Sequence, residues 1–306
     1  MKSSNIGGQA VLEGIMMKNG EKYAVAVRKP NGEIEVKVEQ SHRKKNDIWR
    51  KIPFIRGVFN FVDSLLLGMK TLTFSASFFE EDTEEVLTEQ EAAKQKKKED
   101  FVMTLTMILS LVIAMSLFMV LPYFISNLFK RWIESRFLRT VLESVVRFLI
   151  FIGYILAVSK MKDIQRTFMY HGAEHKCINC IEHGLELNVD NVRKSSKEHK
   201  RCGTSFLFFV MVVSILVCFF ITVESSLLRV VLRIALLPLI AGISYEIIRL
   251  AGSSENWFVN LLSKPGLWMQ GLTTKEPEDD MIEVAIRAVE EVFDWQAYLK
   301  ENFGEE

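Results

Sequence analysis

The chain has 306 residues, with 38 Lys plus Arg against 38 Asp plus Glu and no net charge. That balance excludes the basic footprint of a nucleic-acid-binding protein. Hydrophobic content of 49% is close to the globular norm, so the distribution carries the information: apolar residues gather in the middle and charge gathers at both ends.

Residues 1–100 read as an N-terminal α+β domain. The first residues, MKSSNIGGQAVLEG, lack the apolar core of a secretory signal, so the first hydrophobic helix is expected to direct insertion itself. The glycine-rich start from Gly7 to Gly14 has no preceding strand and makes a poor phosphate cradle; a tight turn or a close backbone contact is the plainer expectation. Tyr23, Val25 and Val27 alternate with small or polar neighbours, as do Ile34, Val36 and Val38, and Pro30-Asn31-Gly32 lies between the two runs. This pattern predicts a β-hairpin. Ile52 to Ser77 is apolar but interrupted about every two turns by Arg56, Asp63 and Lys70, which predicts an amphipathic helix on a membrane or on a helix bundle. Glu80 to Asp100 reads as a charged, solvated linker.

Four apolar segments follow within residues 101–250: Phe101–Phe129, Val141–Ser159, Ser205–Val223 and Leu227–Leu250. Each approaches the length needed to cross a bilayer at about 1.5 Å per residue. Glu143 and Arg147 share a helical face and can pair. Arg229 and Arg233 can snorkel toward an end of their span. Glu246 lies deeper and needs a partner, Arg249 or Arg147, or a polar cavity. Four spans place residues 1–100, the loop 160–203 and the tail 251–306 on one side. Lys160 to Arg201 holds nine Lys and Arg, and Lys94 to Lys98 adds four Lys, against four basic residues in the first interhelical loop. The positive-inside rule therefore predicts a multi-pass protein of the cell membrane with both termini cytoplasmic. Its predicted partners are the lipid bilayer and other membrane proteins, with no nucleic acid. The tail is expected to carry an amphipathic helix from about Asp280 to Lys300, capped by Glu278 and Asp279.

Four of the five histidines fall between His171 and His199. On a helix, His171 and His175 sit one above the other and both rings can reach one ion, with Glu174 beside them in the H-x-x-E-H order of inverted zinc proteases. Glu182 falls on the same face seven residues after His175. Cys177 and Cys180 follow the histidines, and His199 and Cys202 precede the third span. Two ligand sets are open: His171, His175 and Glu182 with His199 or Cys202; or Cys177, Cys180, His199 and Cys202 as a closed structural zinc site. The plain alternative is a solvated polar loop. No thioredoxin-like pattern surrounds the C-x-x-C pair, which weakens a redox role.

The strings GGQAVLEGIMM from Gly7, PFIRGVFNFVDSLLLG from Pro53, YHGAEHK from Tyr170, RCGTSF from Arg201, GISYEIIRLAG from Gly242 and PGLWMQGLTTKEPEDDMIEVAI from Pro265 resemble the YqhQ-like family of bacterial membrane proteins, described as predicted metal-dependent enzymes. The resemblance covers nearly the whole chain. It implies a bacterial, Gram-positive-like cell membrane and brings no established reaction. One departure is Lys200, where the family usually has proline between the histidine and the Arg-Cys pair. Cys177 and Cys180 lie outside the family's pattern.

The combined expectation is an α-helical polytopic membrane protein with about four transmembrane helices and a small N-terminal α+β cytoplasmic domain. Its expected activity is that of a zinc-dependent membrane hydrolase: His171, His175, His199, Cys202 and Glu182 supply ligands, and Glu174 is the general base. A nitrogen and sulfur donor set favours zinc over magnesium. The rival expectations are a non-catalytic membrane-protein assembly or quality-control factor with a structural metal, and a transporter using Glu246, Glu143 and Arg147.

Overall fold

The computed structural model describes residues 2–41, 48–79, 89–221, 223, 225–253 and 256–304. Among them the chain is mostly helical, with one small antiparallel sheet near its start. It divides into two compact units. The first comprises residues 1–79, 155–214 and 236–306; the second comprises 80–154 and 215–235.

The sheet is a meander of β1 (Ile6–Val11), β2 (Gly14–Asn19), β3 (Lys22–Arg28) and β4 (Ile34–Gln40). The expected hairpin is β3–β4, with Val25 opposite Lys37. The glycine-rich start, expected as a turn or packing contact, is the edge strand β1 paired with β2. Its hydrophobic alternation is masked because Gly7, Gly8 and Gln9 occupy half of it. Both faces of the sheet are covered. Val11, Met16, Tyr23, Val25 and Val27 pack with Leu67 and Phe74 of the helix α1 (Ile55–Ala76) and with Phe78 just beyond it, which matches the amphipathic helix expected there. The opposite alternation, Ile6, Ile15, Met17, Ala24 and Ala26, forms the main core.

Helix α2 (Glu89–Met115) already includes the basic stretch expected as linker from Glu89 onward; residues 80–88 lie outside the described ones. It passes through a π turn at Ser116–Val120 into α3 (Leu121–Leu128). Pro122 lacks an amide hydrogen and crowds the carbonyl four residues back, and the widened turn accommodates that. Next come α4 (Arg136–Val158), α5 (Lys162–Glu182), α6 (Val189–Lys194), α7 (Gly203–Phe220), α8 (Ser226–Ala235) and α9 (Leu237–Ser253). Four helical segments are long and apolar enough to cross a membrane: Phe101–Arg131, Arg136–Val158, Gly203–Phe220 and Leu228–Gly252. The last is interrupted at Leu236, between α8 and α9.

Three C-terminal helices follow: α10 (Trp257–Thr273), α11 (Asp279–Val292) and α12 (Trp295–Phe303). The single helix expected from Asp280 to Lys300 is therefore two, broken at Phe293 and Asp294, where Asp294 caps α12 through Ala297 N–H at 2.9 Å. Glu278 makes no side-chain cap to α11, and Asp279 instead pairs with Arg193 at 2.7 Å. The apolar stripe of α11 (Met281, Ile282, Ala285, Ala288, Val289) packs with the sheet and with Tyr170, Ala173, Cys177 and Ile181 of α5.

About half of the loop expected at 160–203 is thus helix α5, buried from Tyr170 to Glu182 apart from the half-buried His171. Gly172 permits its closest contact. A Cβ there would stand 2.0 Å from Lys275 O, so only glycine lets the strap after α10 cross the helix.

The carboxylates Glu143 and Glu246 inside the apolar helices are paired with arginines. Glu246 binds Arg56 of α1, at 2.7 Å through Oε1 and Nε, and accepts Phe54 N–H at 3.2 Å. Arg249 stands farther away at 3.9 Å. The main partner is therefore Arg56, neither of the two arginines expected. In the second unit Glu143 pairs with Arg147 at 2.8 Å, as the i, i+4 spacing implies, and also with Arg233 at 2.6 Å. Arg233 is only 4% exposed, so it does not snorkel; its guanidinium also lies over the Tyr123 ring. Removing the one carboxylate of a buried trio leaves two cations without it, which typically costs about 3–5 kcal/mol. Glu143→Ala should lower the thermal unfolding midpoint of the detergent-purified protein strongly. Adding Arg147→Leu and Arg233→Leu should restore much of the loss, whereas a mild effect of the single change would contradict this account of the trio.

Candidate metal centre

Helix α5 has two chemical faces. Tyr170, Ala173, Cys177, Cys180 and Ile181 point into the apolar core, while His171, Glu174, His175 and Ile178 line a cavity of about 310 Å³. His199, Cys202, Asn5 and Gly8 lie on the cavity's other walls. Among the described residues, one ligand atom each from His171, His175 and Cys202 lies within 4.8 Å of the others. The His171 and His175 rings are 4.4 Å apart, and His171 Nε2 is 3.1 Å from Cys202 Sγ.

The imidazoles are held in the orientation a metal needs. His171 Nδ1 donates to Thr273 O at 3.1 Å, and His175 Nδ1 donates to Lys197 O at 2.6 Å. A carbonyl can only accept, so each neutral ring keeps its proton on Nδ1 and offers the Nε2 lone pair. Thr204 N–H and Oγ1 approach Cys202 Sγ at 3.4 and 3.1 Å and orient the sulfur. Tetrahedral zinc with bonds of about 2.0–2.3 Å spaces its ligand atoms about 3.5 Å apart, so the observed donor separations fit zinc with small adjustments.

The segment that delivers Cys202 is tied down by polar groups of buried helices. Lys176 Nζ donates to Arg193 O and Ser195 O, and Asn179 Nδ2 donates to Ser196 O and Glu198 O. Gln270, fully buried on α10, brackets the backbone of His199: its Oε1 accepts His199 N–H at 2.9 Å and its Nε2 donates to His199 O at 2.7 Å.

Glu174 is 5% exposed. Burial pushes its carboxyl above the usual range, opposed by His171 and by the Gly8 N–H. A Cβ on Gly8 would stand 3.0 Å from the Glu174 carboxyl carbon, so glycine lets β1 pass directly over it.

Glu182 and His199 stand outside the three-residue cluster. Glu182 Oε1 accepts Ser4 N–H at 2.7 Å and Ser4 Oγ at 2.8 Å, and binds Arg201. Its Oε2 is 3.6 Å from His199 Nε2, and the His199 ring is 5.7 Å from that of His175. Cys177 and Cys180 are fully buried in the core, where burial raises both thiols, and they are not brought to His199 or Cys202. Sequence reasoning missed Gln270, Thr273 and Lys176, while at Gly8 the close backbone contact expected of the glycine-rich start is the one with Glu174. Of the missed residues, only Gln270, an amide among the apolar residues of α10, carried a visible signal.

Burial would raise Glu182, but His199, Arg201 and the Ser4 backbone together hold it down, from 4.5 to about 2. Below pH 4.5 the unfolded chain therefore takes up this proton first, and stability falls as pH drops from 4.5 toward about 2. The contribution, up to about 3 kcal/mol, is complete at neutral pH. Glu182→Gln should unfold more readily at pH 7 and show a shallower acid slope across that window in detergent-based thermal unfolding. An unchanged slope would contradict the ion-pair account.

The family model described as "Protein of unknown function (DUF1385)" matches residues 52–295. The "Uncharacterized protein YqhQ" of Bacillus subtilis (strain 168) is 36% identical over 300 residues, covering 97% of this chain and 94% of that protein. No solved structure matches.

Proposed function

The chain belongs to the DUF1385 family of proteins of unknown function, and within it we propose a zinc-dependent hydrolase at the cytoplasmic face of the cell membrane. The observation that carries this is the convergence of His171, His175, Cys202 and Glu174 on one cavity, with both Nδ1 atoms occupied by carbonyls. His171, His175 and Cys202 would hold the ion, leaving a fourth position open, as hydrolytic zinc sites do. Bound zinc would supply Lewis acidity for attack on an acyl carbonyl. Glu174 is adjacent to two ligands without being in their cluster, so its carboxylate accepts the proton of a water in the same cavity. Gly8 N–H fixes the direction of that carboxylate. His199, with its backbone held by Gln270, closes the cavity beside His175.

Four apolar helices and the Lys/Arg asymmetry support the membrane setting. A reporter fused near Asn188 should behave as cytoplasmic and one near Ser135 as external; the reverse would move the centre to the other side. A transport role has less support, because Glu143 and Glu246 are each engaged by arginines. A non-catalytic factor with a structural metal is separated by the following variants.

Full-length protein purified in detergent should carry one zinc per chain. His175→Ala and Cys202→Ser should lose it, and the double change Cys177→Ser with Cys180→Ser should keep it. Glu174→Gln should retain zinc and protein level yet reduce activity in cells by about 10²–10⁴-fold. Full complementation of a deletion strain by Glu174→Gln would remove the catalytic assignment.

A further inference from the structure

A second, larger hollow adjoins the metal centre. It measures about 590 Å³ and is lined by two different materials. At one end stand Gly8, Arg201, Cys202 and Gly203, which also line the histidine cavity. The rest of the wall is largely apolar, built from Phe61, Leu65 and Leu72 of α1, Phe206 and Leu207 of α7, and Ile248 of α9. Cys202 thus belongs to both hollows: its sulfur reaches His171 on one side and its residue ends the apolar groove on the other.

The groove is walled by an amphipathic helix and by two segments apolar enough to cross a membrane. Phe61 and Phe206 meet across it with ring centroids 5.4 Å apart, while Leu65, Leu72 and Leu207 remain about half exposed. Exposed apolar side chains of this kind mark a binding surface. An occupant matched to these walls has a hydrocarbon chain and a polar head at Cys202.

We propose that the groove holds the acyl chain of a membrane lipid whose polar head is presented to the His171–His175–Cys202 centre. The proposal rests on the hydrolase reading and names its substrate class: an acyl ester or amide drawn laterally from the bilayer. An extended peptide would instead need backbone partners along the groove, whereas its walls offer mainly hydrocarbon.

The test uses the full-length protein, loaded with cobalt(II), in nanodiscs of phosphatidylethanolamine and phosphatidylglycerol. Alkyl hydroxamic acids from acetohydroxamic to decanohydroxamic acid are titrated against the cobalt absorption bands. Binding should strengthen by up to about fourfold per added methylene while the chain fills the groove. Ser64→Trp and Leu207→Trp plug the groove at exposed positions. They should flatten that dependence while leaving acetohydroxamic acid binding unchanged. Partition of the longer acids into the lipid cancels in the comparison of wild type with variant. Equal chain-length dependence in all three proteins would overturn the proposal. So would a tripeptide hydroxamate that binds more tightly than an alkyl one of equal size and ignores both plugs.

A second measurement needs no metal. A diazirine-bearing palmitic acid in the same nanodiscs should label Phe61 and Phe206, and each plug should cut that labelling at least tenfold with Phe101–Leu111 labelling unchanged. If cobalt is not retained but this pattern holds, the hydrolase reading fails and the acyl groove stands. If labelling of Phe61 and Phe206 is indifferent to the plugs, the groove proposal fails whatever the metal content.

Discussion

Burying a polar helix is the constraint on which the rest of the first unit depends. From Tyr170 to Glu182, α5 is enclosed yet carries His171, Glu174, His175, Lys176, Asn179 and Glu182. An unpaired polar group in such a place costs roughly 1–3 kcal/mol, and a charge costs more. The surrounding chain is arranged as the answer. The 193–198 segment turns its carbonyls toward Lys176, Asn179 and His175; the N-terminal segment offers Ser4 to Glu182 and Gly8 to Glu174; and the last residue of α10 offers Thr273 O to His171. The geometry that satisfies these groups also turns two Nε2 atoms toward one sulfur.

The second unit follows the same rule in apolar surroundings. Its buried carboxylate, Glu143, is shared by two arginines, and an aromatic face at Tyr123 receives the guanidiniums of Arg229 and Arg233. Charges of this kind are tolerated when they meet one another inside a bundle. Spacing alone reveals the i, i+4 pair. It could not reveal Arg233, which reaches Glu143 only through tertiary packing.

How much was legible in the residues follows from how local each signal is. Hydropathy over about twenty residues marked the four apolar segments, and alternation around Pro30-Asn31-Gly32 marked β3 and β4, because both signals are complete within one stretch of chain. His171 and His175 were legible for the same reason: one helical turn brings them together. Cys202 lies 27 residues beyond His175, and only a family resemblance pointed to it over Cys177 and Cys180. Strand β1 was missed because Gly8, which the close approach to Glu174 requires, stands beside Gly7 and erases the alternation that announces a strand. Glu182 shares the helical face of His175 but sits two turns away, where Arg201 and Ser4 engage it.

The strap that crosses Gly172 has a consequence for how the protein is made. His171 is oriented by Thr273 and the His199 backbone by Gln270, so the centre draws on residues 102 and 71 positions farther along the chain. A ribosome must pass residue 273 before those contacts can form. The Thr273 and Gln270 contacts therefore form only once α10 has been made, with the strap that follows it crossing Gly172. Competence thus waits on α10: a product truncated before it would retain the His-x-x-Glu-His string without the Thr273 carbonyl that aims its first imidazole.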